Sequence, residues 1–179
     1  MDDKKGSFKP IVIVLLASLA IAAFWNSFPP IRDAVHAILN PTAGALLSWN
    51  LLFGMLIIVL ILSIITTLIQ KYGTDQETLK ELKKEQKALQ EEMKRYKDNP
   101  QKIMELQKKS FESIPKTMKL SMRSFTYTAI PLILFFRWFM DIFTNLGNPK
   151  FFGFLSWFWF YLITSIIISS ILRKILKVV

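Results

Sequence analysis

The stretch KYGTDQETLKELKKEQKALQEEMKRYKDNPQKIMELQKKSFESIPKTMK, residues 71–119, is strongly charged and helix-patterned, with a long apolar run on either side. The upstream run includes LLFGMLIIVLILSII, residues 51–65, which carries no charge. A helix needs roughly 20 apolar residues to cross a hydrocarbon core of about 30 Å, and exposed loops or sheet edges cannot lie in lipid. The sequence therefore predicts an all-α membrane protein that holds a helical hairpin in water between two spans.

Four apolar stretches are candidate spanning helices, and they divide the chain into eight parts. These parts are an N-terminal hydrophobic anchor or signal (1–28), an outer loop (29–44), core helix 1 (45–70), the hairpin (71–119), core helix 2 (120–143), a second outer loop (144–150), core helix 3 (151–172) and a basic tail (173–179). The first part has two interpretations, an uncleaved anchor or a signal peptide with a small-residue cleavage site at 20–22. Both interpretations leave the hairpin on the same side of the membrane.

The net charge of +10 is distributed by side. Twenty Lys or Arg lie in the N-terminus, the hairpin with Arg123, and the tail, whereas the two outer loops hold only Arg32 and Lys150. Because cytoplasmic loops carry the excess of basic residues, we expect a plasma-membrane protein whose hairpin and two termini are cytoplasmic. Because this sidedness explains the net positive charge, the charge is not interpreted as a sign of specific DNA binding.

The composition also bounds the chemistry. The chain has no cysteine, which excludes a disulfide framework, a thiol nucleophile and a cysteine metal site. It contains no phosphate-binding glycine pattern. We therefore expect no enzymatic activity, no metal and no cofactor.

The hairpin has the pattern of an antiparallel coiled coil. Thr74 and Glu77 fit a capping box, and Asn99 with Pro100 fits the start of a second helix. A repeat of alternating steps of three and four predicts the packed seam. Its members are Leu79, Leu82, Gln86, Leu89, Met93 and Tyr96 on the first helix and Met104, Gln107, Phe111 and Ile114 on the second, ending at Pro115.

The basic residues of the hairpin have two interpretations. They form either an ordinary solvated coiled-coil surface or an arm that contacts a ribosome, a targeting factor or anionic lipid. The candidate partner-binding residues are Lys83, Lys84, Lys87, Lys94, Arg95, Lys97 and Lys102.

Polar side chains fall in the cytoplasmic halves of all three core helices. On core helix 2, Ser121, Ser124 and Thr128 share one helical stripe. The candidate groove residues are Ser63, Thr66, Thr67, Gln70, Thr128, Arg137, Thr164, Ser165 and Ser169. If these stripes face one another, they enclose a polar recess open to the cytoplasm. The alternative is that the hydroxyls bond to their own helices and allow close packing.

The outer halves of the same helices are aromatic and predict an interfacial girdle. Its members are Trp138, Phe139, Phe151, Phe152, Phe154, Trp157, Phe158 and Trp159. Arg137 lies among them, and an intramembrane arginine costs about 2.5–3.5 kcal/mol on insertion scales. Asp141, one turn further, is its expected partner. His36 has no evident partner.

The order of these parts resembles the YidC/Oxa/Alb membrane-insertase superfamily, in particular its archaeal YidC-like proteins, which are related to the third subunit of the ER membrane protein complex. The segments KLSMRSFTYTAIPLILFFRWF (119–139) and ISSILRKILKVV (168–179) are similar to segments of those proteins, and the resemblance extends over residues 45–179. It implies a three-helix core with a hydrophilic groove open to cytoplasm and lipid. Bacterial members place a groove arginine on the first core helix, whereas Arg137 is on the second.

The function we expect is insertion of nascent membrane proteins into the bilayer through such a groove, without nucleotide hydrolysis. The alternatives are an ion channel or transporter subunit, whose pore the polar stripes would line, and a scaffold whose coiled coil recruits a partner.

Overall fold

The computed structural model describes residues 9–178, apart from the side chains of Pro10, Ser121, Arg123 and Ser124. The predicted contributions of Ser121 and Ser124 to the polar stripe, and of the lysines before residue 9 to the charge asymmetry, therefore lie outside what is described. The described chain is helical, with no strand longer than an isolated bridge. The all-α prediction is confirmed. The helices are α1 (Lys9–Ala23), α2 (Pro29–Leu39), α3 (Ala45–Trp49), α4 (Leu51–Gly73), α5 (Gln76–Arg95), α6 (Pro100–Asn145) and α7 (Trp157–Leu176), with a π-helical turn at Asn40–Gly44 between α2 and α3.

Three helical segments are long and apolar enough to cross a membrane: Leu51–Gly73, Phe125–Asn145 and Trp157–Leu176. The protein is therefore a multi-pass membrane protein with the predicted three-helix core. The helix α1 has 15 residues, which gives a length of about 22 Å, short of the hydrocarbon thickness. It packs along α6 as an additional apolar helix.

The first core helix begins later than the sequence predicted. Asn50 has an extended backbone and caps α4, because its side-chain oxygen accepts hydrogen bonds from the amides of Leu52 and Phe53 at 3.1 and 3.0 Å. The five residues before Asn50 form the separate helix α3, which packs on the start of α4. Gly54 permits this close approach, since a β-carbon there would clash with the backbone carbonyl of Leu46.

The helix α6 runs for 46 residues without a break at Pro115 or Pro131. The helix therefore continues past Pro115, where the predicted seam ended. A proline inside a helix removes one backbone hydrogen bond, and here packing on both sides of the position holds the helix together. The first half of α6 packs on α5, and the second half packs on α1 and α4.

The core of the bundle lies at the end of the spans opposite the hairpin, which we call the distal end. Trp138, Phe139 and Phe143 of α6 are fully buried there. They pack with apolar residues of α4 and with the aromatic side chains of the loop and first turn of α7. Phe151 stacks on Phe160 with ring centroids 4.2 Å apart.

The predicted aromatic girdle is therefore divided between two environments. Trp138, Phe139 and Phe151 belong to the buried core, and Trp157 is half-buried against it. The remaining members are exposed on the surface of the bundle: Phe152, Phe154, Phe158 and Trp159.

Candidate functional site

The helix α4 lies between α6 and α7, and its backbone runs beside both. Among the described residues, the backbones of α6 and α7 approach each other at isolated points at most, whereas each of them runs beside α4. These two helices meet through aromatic side chains at the distal end. Phe136 and Tyr161 are in edge-to-face contact at 4.9 Å, and Phe139 stacks on Trp157 at 5.8 Å. The halves nearer the hairpin, which we call the proximal halves, lack such contacts among the described rings.

Most of the polar candidates lie on the proximal halves of these three helices, whereas Thr164 and Ser165 lie just on the distal side of the middle of α7. Ser63 and Thr67 of α4 are buried. The others are half-buried: Thr66, Gln70, Thr128, Thr164, Ser165 and Ser169. All three helices therefore carry polar candidates, and the set includes both buried and half-buried members. That they line one shared groove stays a prediction.

Several of these hydroxyls donate to carbonyls of their own helix. Thr66 donates to Leu62 at 2.8 Å, Thr67 to Ser63 at 2.6 Å and Ser165 to Leu162 at 3.0 Å. These bonds satisfy each O–H inside an apolar helix at little cost. A hydroxyl oxygen has two acceptor lone pairs besides its donor, so each group can still accept a hydrogen bond from a neighbouring chain.

Arg137 lies apart from the hydroxyl residues. It is nine residues beyond Thr128 on α6, or about 14 Å at 1.5 Å per residue. Its guanidinium lies over the ring of Trp25, 5.8 Å from the centroid, and one terminal nitrogen is 3.7 Å from the sulfur of Met140. The structure thus places Arg137 near the distal end and the hydroxyls near the hairpin.

The expected Arg137–Asp141 pair is not formed. Instead, the Oδ2 atom of Asp141 accepts a hydrogen bond from the indole of Trp25 at 2.7 Å and lies 3.0 Å from Nε2 of His36. Asp141 thereby ties the loop after α1 and the helix α2 to α6. His36, for which the sequence offered no catalytic or metal-binding partner, thus contacts a residue 105 positions away in sequence.

Asp141 is expected to be the main polar contributor to the stability of the distal end. Replacing it by alanine leaves the buried indole N–H of Trp25 without an acceptor, which costs about 1–3 kcal/mol. We expect Asp141→Ala to lower the thermal unfolding temperature in detergent. The matched control is Asp33→Ala, which removes an exposed carboxylate bonded to Arg32 and should cost at most about 1 kcal/mol. Equal effects of the two variants would contradict this assignment.

The helix α5 packs against the first part of α6, and Asn99 caps α6 by accepting from the amide of Lys102 at 3.1 Å. The N-cap of α5 is Asp75, which accepts from the amide of Thr78, so the predicted capping box of Thr74 and Glu77 is wrong. Thr74 instead follows the last residue of α4. A knobs-into-holes coiled coil remains a prediction.

The inner face of the hairpin agrees with the predicted seam on α5 except at Tyr96, which is exposed just after the helix, and it differs from the predicted seam on α6. Leu79 of α5 is buried, and Gln86 donates to Ser113 of α6 at 3.3 Å. The inner residues of α6 are Ile103, Leu106, Ser110, Ser113, Thr117 and Leu120, of which Leu106 and Ser113 are buried. The apolar residues chosen from the sequence are exposed instead: Met104, Phe111, Ile114 and, one turn on, Met118.

Most of the candidate basic residues of the hairpin are exposed and form no ion pair within the described part of the chain. They are Lys83, Lys84, Lys87, Lys94, Arg95 and Lys97. Lys102 differs, because it donates to Glu105 at 2.9 Å. The hydrogen bond from Lys102, with a second from Lys109, lowers the pKa of Glu105 to about 2.

A scan against protein families matches residues 36–152 to the family described as "Integral membrane protein EMC3/TMCO1-like". The chain belongs to this family. The match extends from α2 through the hairpin and α6 to the loop before α7, which is more than half of the chain. The EMC3/TMCO1-like family is part of the YidC/Oxa/Alb insertase-related superfamily and is related to the third subunit of the ER membrane protein complex. Searches of curated proteins and of solved structures give no match.

Proposed function

We propose that this EMC3/TMCO1-like protein assists the insertion of membrane proteins through a hydrophilic groove with α4 as its floor and α6 and α7 as its walls. The observation that carries this proposal is the arrangement of the three spans. The walls meet through aromatic rings at the distal end, whereas hydroxyl residues lie near the middle of α7 and on the proximal halves of all three helices. Such a groove is closed at one end and polar near the hairpin. The hairpin would lie in the cytoplasm and the spans in the plasma membrane, in accordance with the charge asymmetry.

The groove would act by lowering the cost of moving a polar segment into the bilayer. Unpaired backbone groups of such a segment cost several kcal/mol each in hydrocarbon. Hydroxyl oxygens of Thr66, Thr128 and Thr164 would accept hydrogen bonds from them. The apolar part of the substrate would then partition into lipid, which contributes about 0.8 kcal/mol for each buried CH₂. The proposal therefore assigns no nucleotide, cofactor or enzymatic step.

The hairpin would receive the substrate or its carrier. Its exposed lysine and arginine side chains would bind a ribosome or a targeting factor. Its exposed apolar residues Met104, Phe111 and Met118 recur every seven residues on α6, and flexible methionines adapt to varied apolar segments. They would contact the hydrophobic segment of a nascent chain before it enters the bilayer.

A cysteine scan tests the groove, because the natural chain contains no cysteine. Single cysteines at Thr66, Thr128 and Ser169 should react with a membrane-impermeant thiol reagent added from the hairpin side and crosslink to a stalled nascent membrane protein. Cysteines at the exposed lipid-facing positions Ile65 and Ile167 serve as controls and should not be labelled by this reagent. Labelling of the groove positions from both sides would indicate a pore instead. Absence of labelling, with hairpin binding intact, would indicate a scaffold.

A further inference from the structure

A second polar site lies at the distal end, away from the hydroxyl residues. It is an open cleft of about 400 Å³ between the loop after α1, the helix α2 and the last turns of α6. Its lining is polar and charged and consists of Asn26, Arg32, His36, Arg137, Met140, Asp141, Thr144 and Asn145.

The cleft contains a cation without an anionic partner. Within the described chain, Arg137 forms no ion pair, and its Nε atom is buried without a hydrogen-bond partner. The carboxylate of Asp141 is engaged by Trp25 and His36. Arg32 is paired with Asp33, so Arg137 is the arginine of the lining that has no carboxylate partner among the described residues. A buried N–H without a partner costs about 1–3 kcal/mol, so the site is best satisfied by an anionic acceptor.

The chemistry of the guanidinium selects the acceptor. A guanidinium presents five N–H donors in a planar fork, which matches the oxygen atoms of a phosphate or carboxylate. Here the fork is part of the lining of the cleft, about 12 Å before the end of α6. An anion would reach it from the distal surface of the membrane.

An apolar crevice adjoins the cleft on the other side of Trp25. This crevice has a volume of about 160 Å³ and is lined by Ala20, Ile21, Phe24, Trp25, Phe28 and Ile31. Phe24 and Phe28 are more than half exposed. The indole of Trp25 lines this crevice and also contacts Arg137 and Asp141 of the cleft, so an anionic group at Arg137 and a hydrocarbon chain on Phe28 would be neighbours. A phospholipid joins these two groups in one molecule.

We propose that this cleft is a phospholipid-binding site, in which Arg137 binds the phosphate of the headgroup and the crevice at Phe24 and Phe28 receives the start of an acyl chain. The site stands on the distal geometry alone and does not depend on the insertion groove. A bound phosphate would also explain how Arg137 is accommodated inside a span without a carboxylate partner.

Lipid binding to the purified full chain in detergent tests this assignment by native mass spectrometry. The probes are dioleoyl phosphatidylglycerol, dioleoylglycerol with the same chains but no phosphate, and inorganic phosphate. We expect phosphatidylglycerol to bind at least about tenfold more tightly than the other two. Arg137→Gln should weaken phosphatidylglycerol binding at least about tenfold, because it removes the charge-assisted hydrogen bonds. The control Lys108→Gln, at an exposed hairpin position outside the candidate partner-binding set, should leave binding unchanged.

A second variant distinguishes loss of the site from loss of the fold. Phe28→Ser changes an exposed side chain of the crevice and should weaken phosphatidylglycerol several-fold while the chain remains folded by circular dichroism. Undiminished lipid binding by both Arg137→Gln and Phe28→Ser would overturn the proposal. The proposal would also be overturned if inorganic phosphate bound as tightly as phosphatidylglycerol, because the cleft would then be a site for soluble anions.

Discussion

Replacing Thr66, Thr128 and Thr164 together by valine is expected to slow insertion of a substrate with a long hydrophilic translocated segment by roughly 30- to 160-fold. Valine has the shape of threonine without its hydroxyl, so the three helices can pack as before. Each side-chain hydrogen bond between membrane helices is worth about 0.6–1 kcal/mol. Three of them amount to about 2–3 kcal/mol, and 1.36 kcal/mol in a barrier corresponds to a factor of ten in rate.

The chain offers a closely matched control for this variant. Thr42, Thr117 and Thr144 also donate to carbonyls of the preceding turn, at 2.9, 3.1 and 2.6 Å. They lie before α3, in the hairpin and at the distal end, away from the proposed groove. Their triple replacement by valine also removes three hydroxyls and should leave insertion within about twofold of the natural rate. Thr42 and Thr144 are exposed, where substitutions rarely exceed 0.5 kcal/mol, and valine keeps the shape of Thr117 on the inner face of the hairpin.

The measurement is the rate of insertion into proteoliposomes of two substrates that differ only in the length of the hydrophilic segment to be translocated. The groove variant should slow the substrate with the long segment and have little effect on a substrate with a short one. A similar loss with the control triple would show that the threonines act through helix packing. If the groove variant inserted the substrate with the long segment at the natural rate, the three hydroxyls would not contribute to insertion.

The features that could be predicted from the sequence depend on local patterns. The uncharged run in α4 predicted a span because its hydropathy needs no partner to be recognised. Asn99 followed by Pro100 predicted the start of α6, since a side-chain acceptor and a fixed φ act within one turn. The same local reasoning could not choose between Thr74 and Asp75 as the cap, because the two are adjacent and both can accept a hydrogen bond.

The features that could not be predicted depend on contacts between distant segments. Asp141 has an arginine one turn away, and its real partners Trp25 and His36 are 116 and 105 residues away. No periodicity connects those positions. The seam of α6 was misassigned for a related reason: hydrophobicity favoured Phe111, whereas the inner face uses Ser113, which accepts from Gln86 across the hairpin. A small polar residue at a close contact gives no hydrophobic signal.

Reversing the charge at the tip of the hairpin is expected to weaken its binding to ribosomes by at least about 30-fold at 50 mM salt. Lys94, Arg95 and Lys97 are exposed at the end of α5 and in the following turn, which is the part of the hairpin furthest from the spans along the chain. If each contacts an RNA phosphate, binding of the natural protein should fall about 20- to 40-fold between 50 and 200 mM salt, given a slope of about 0.7–0.9 per phosphate.

The variant K94E/R95E/K97E keeps strong helix formers at the end of α5, so the hairpin should remain folded. The matched control K94R/R95K/K97R changes the same three side chains and keeps their charge. Affinity for purified ribosomes, measured by co-sedimentation over a range of salt concentrations, should be lost in the first variant and retained in the second. A flat salt dependence for the natural protein, or equal binding by both variants, would mean that these cations form only a solvated surface. Exposed residues such as Phe111 would then be the remaining candidates for contact with a partner.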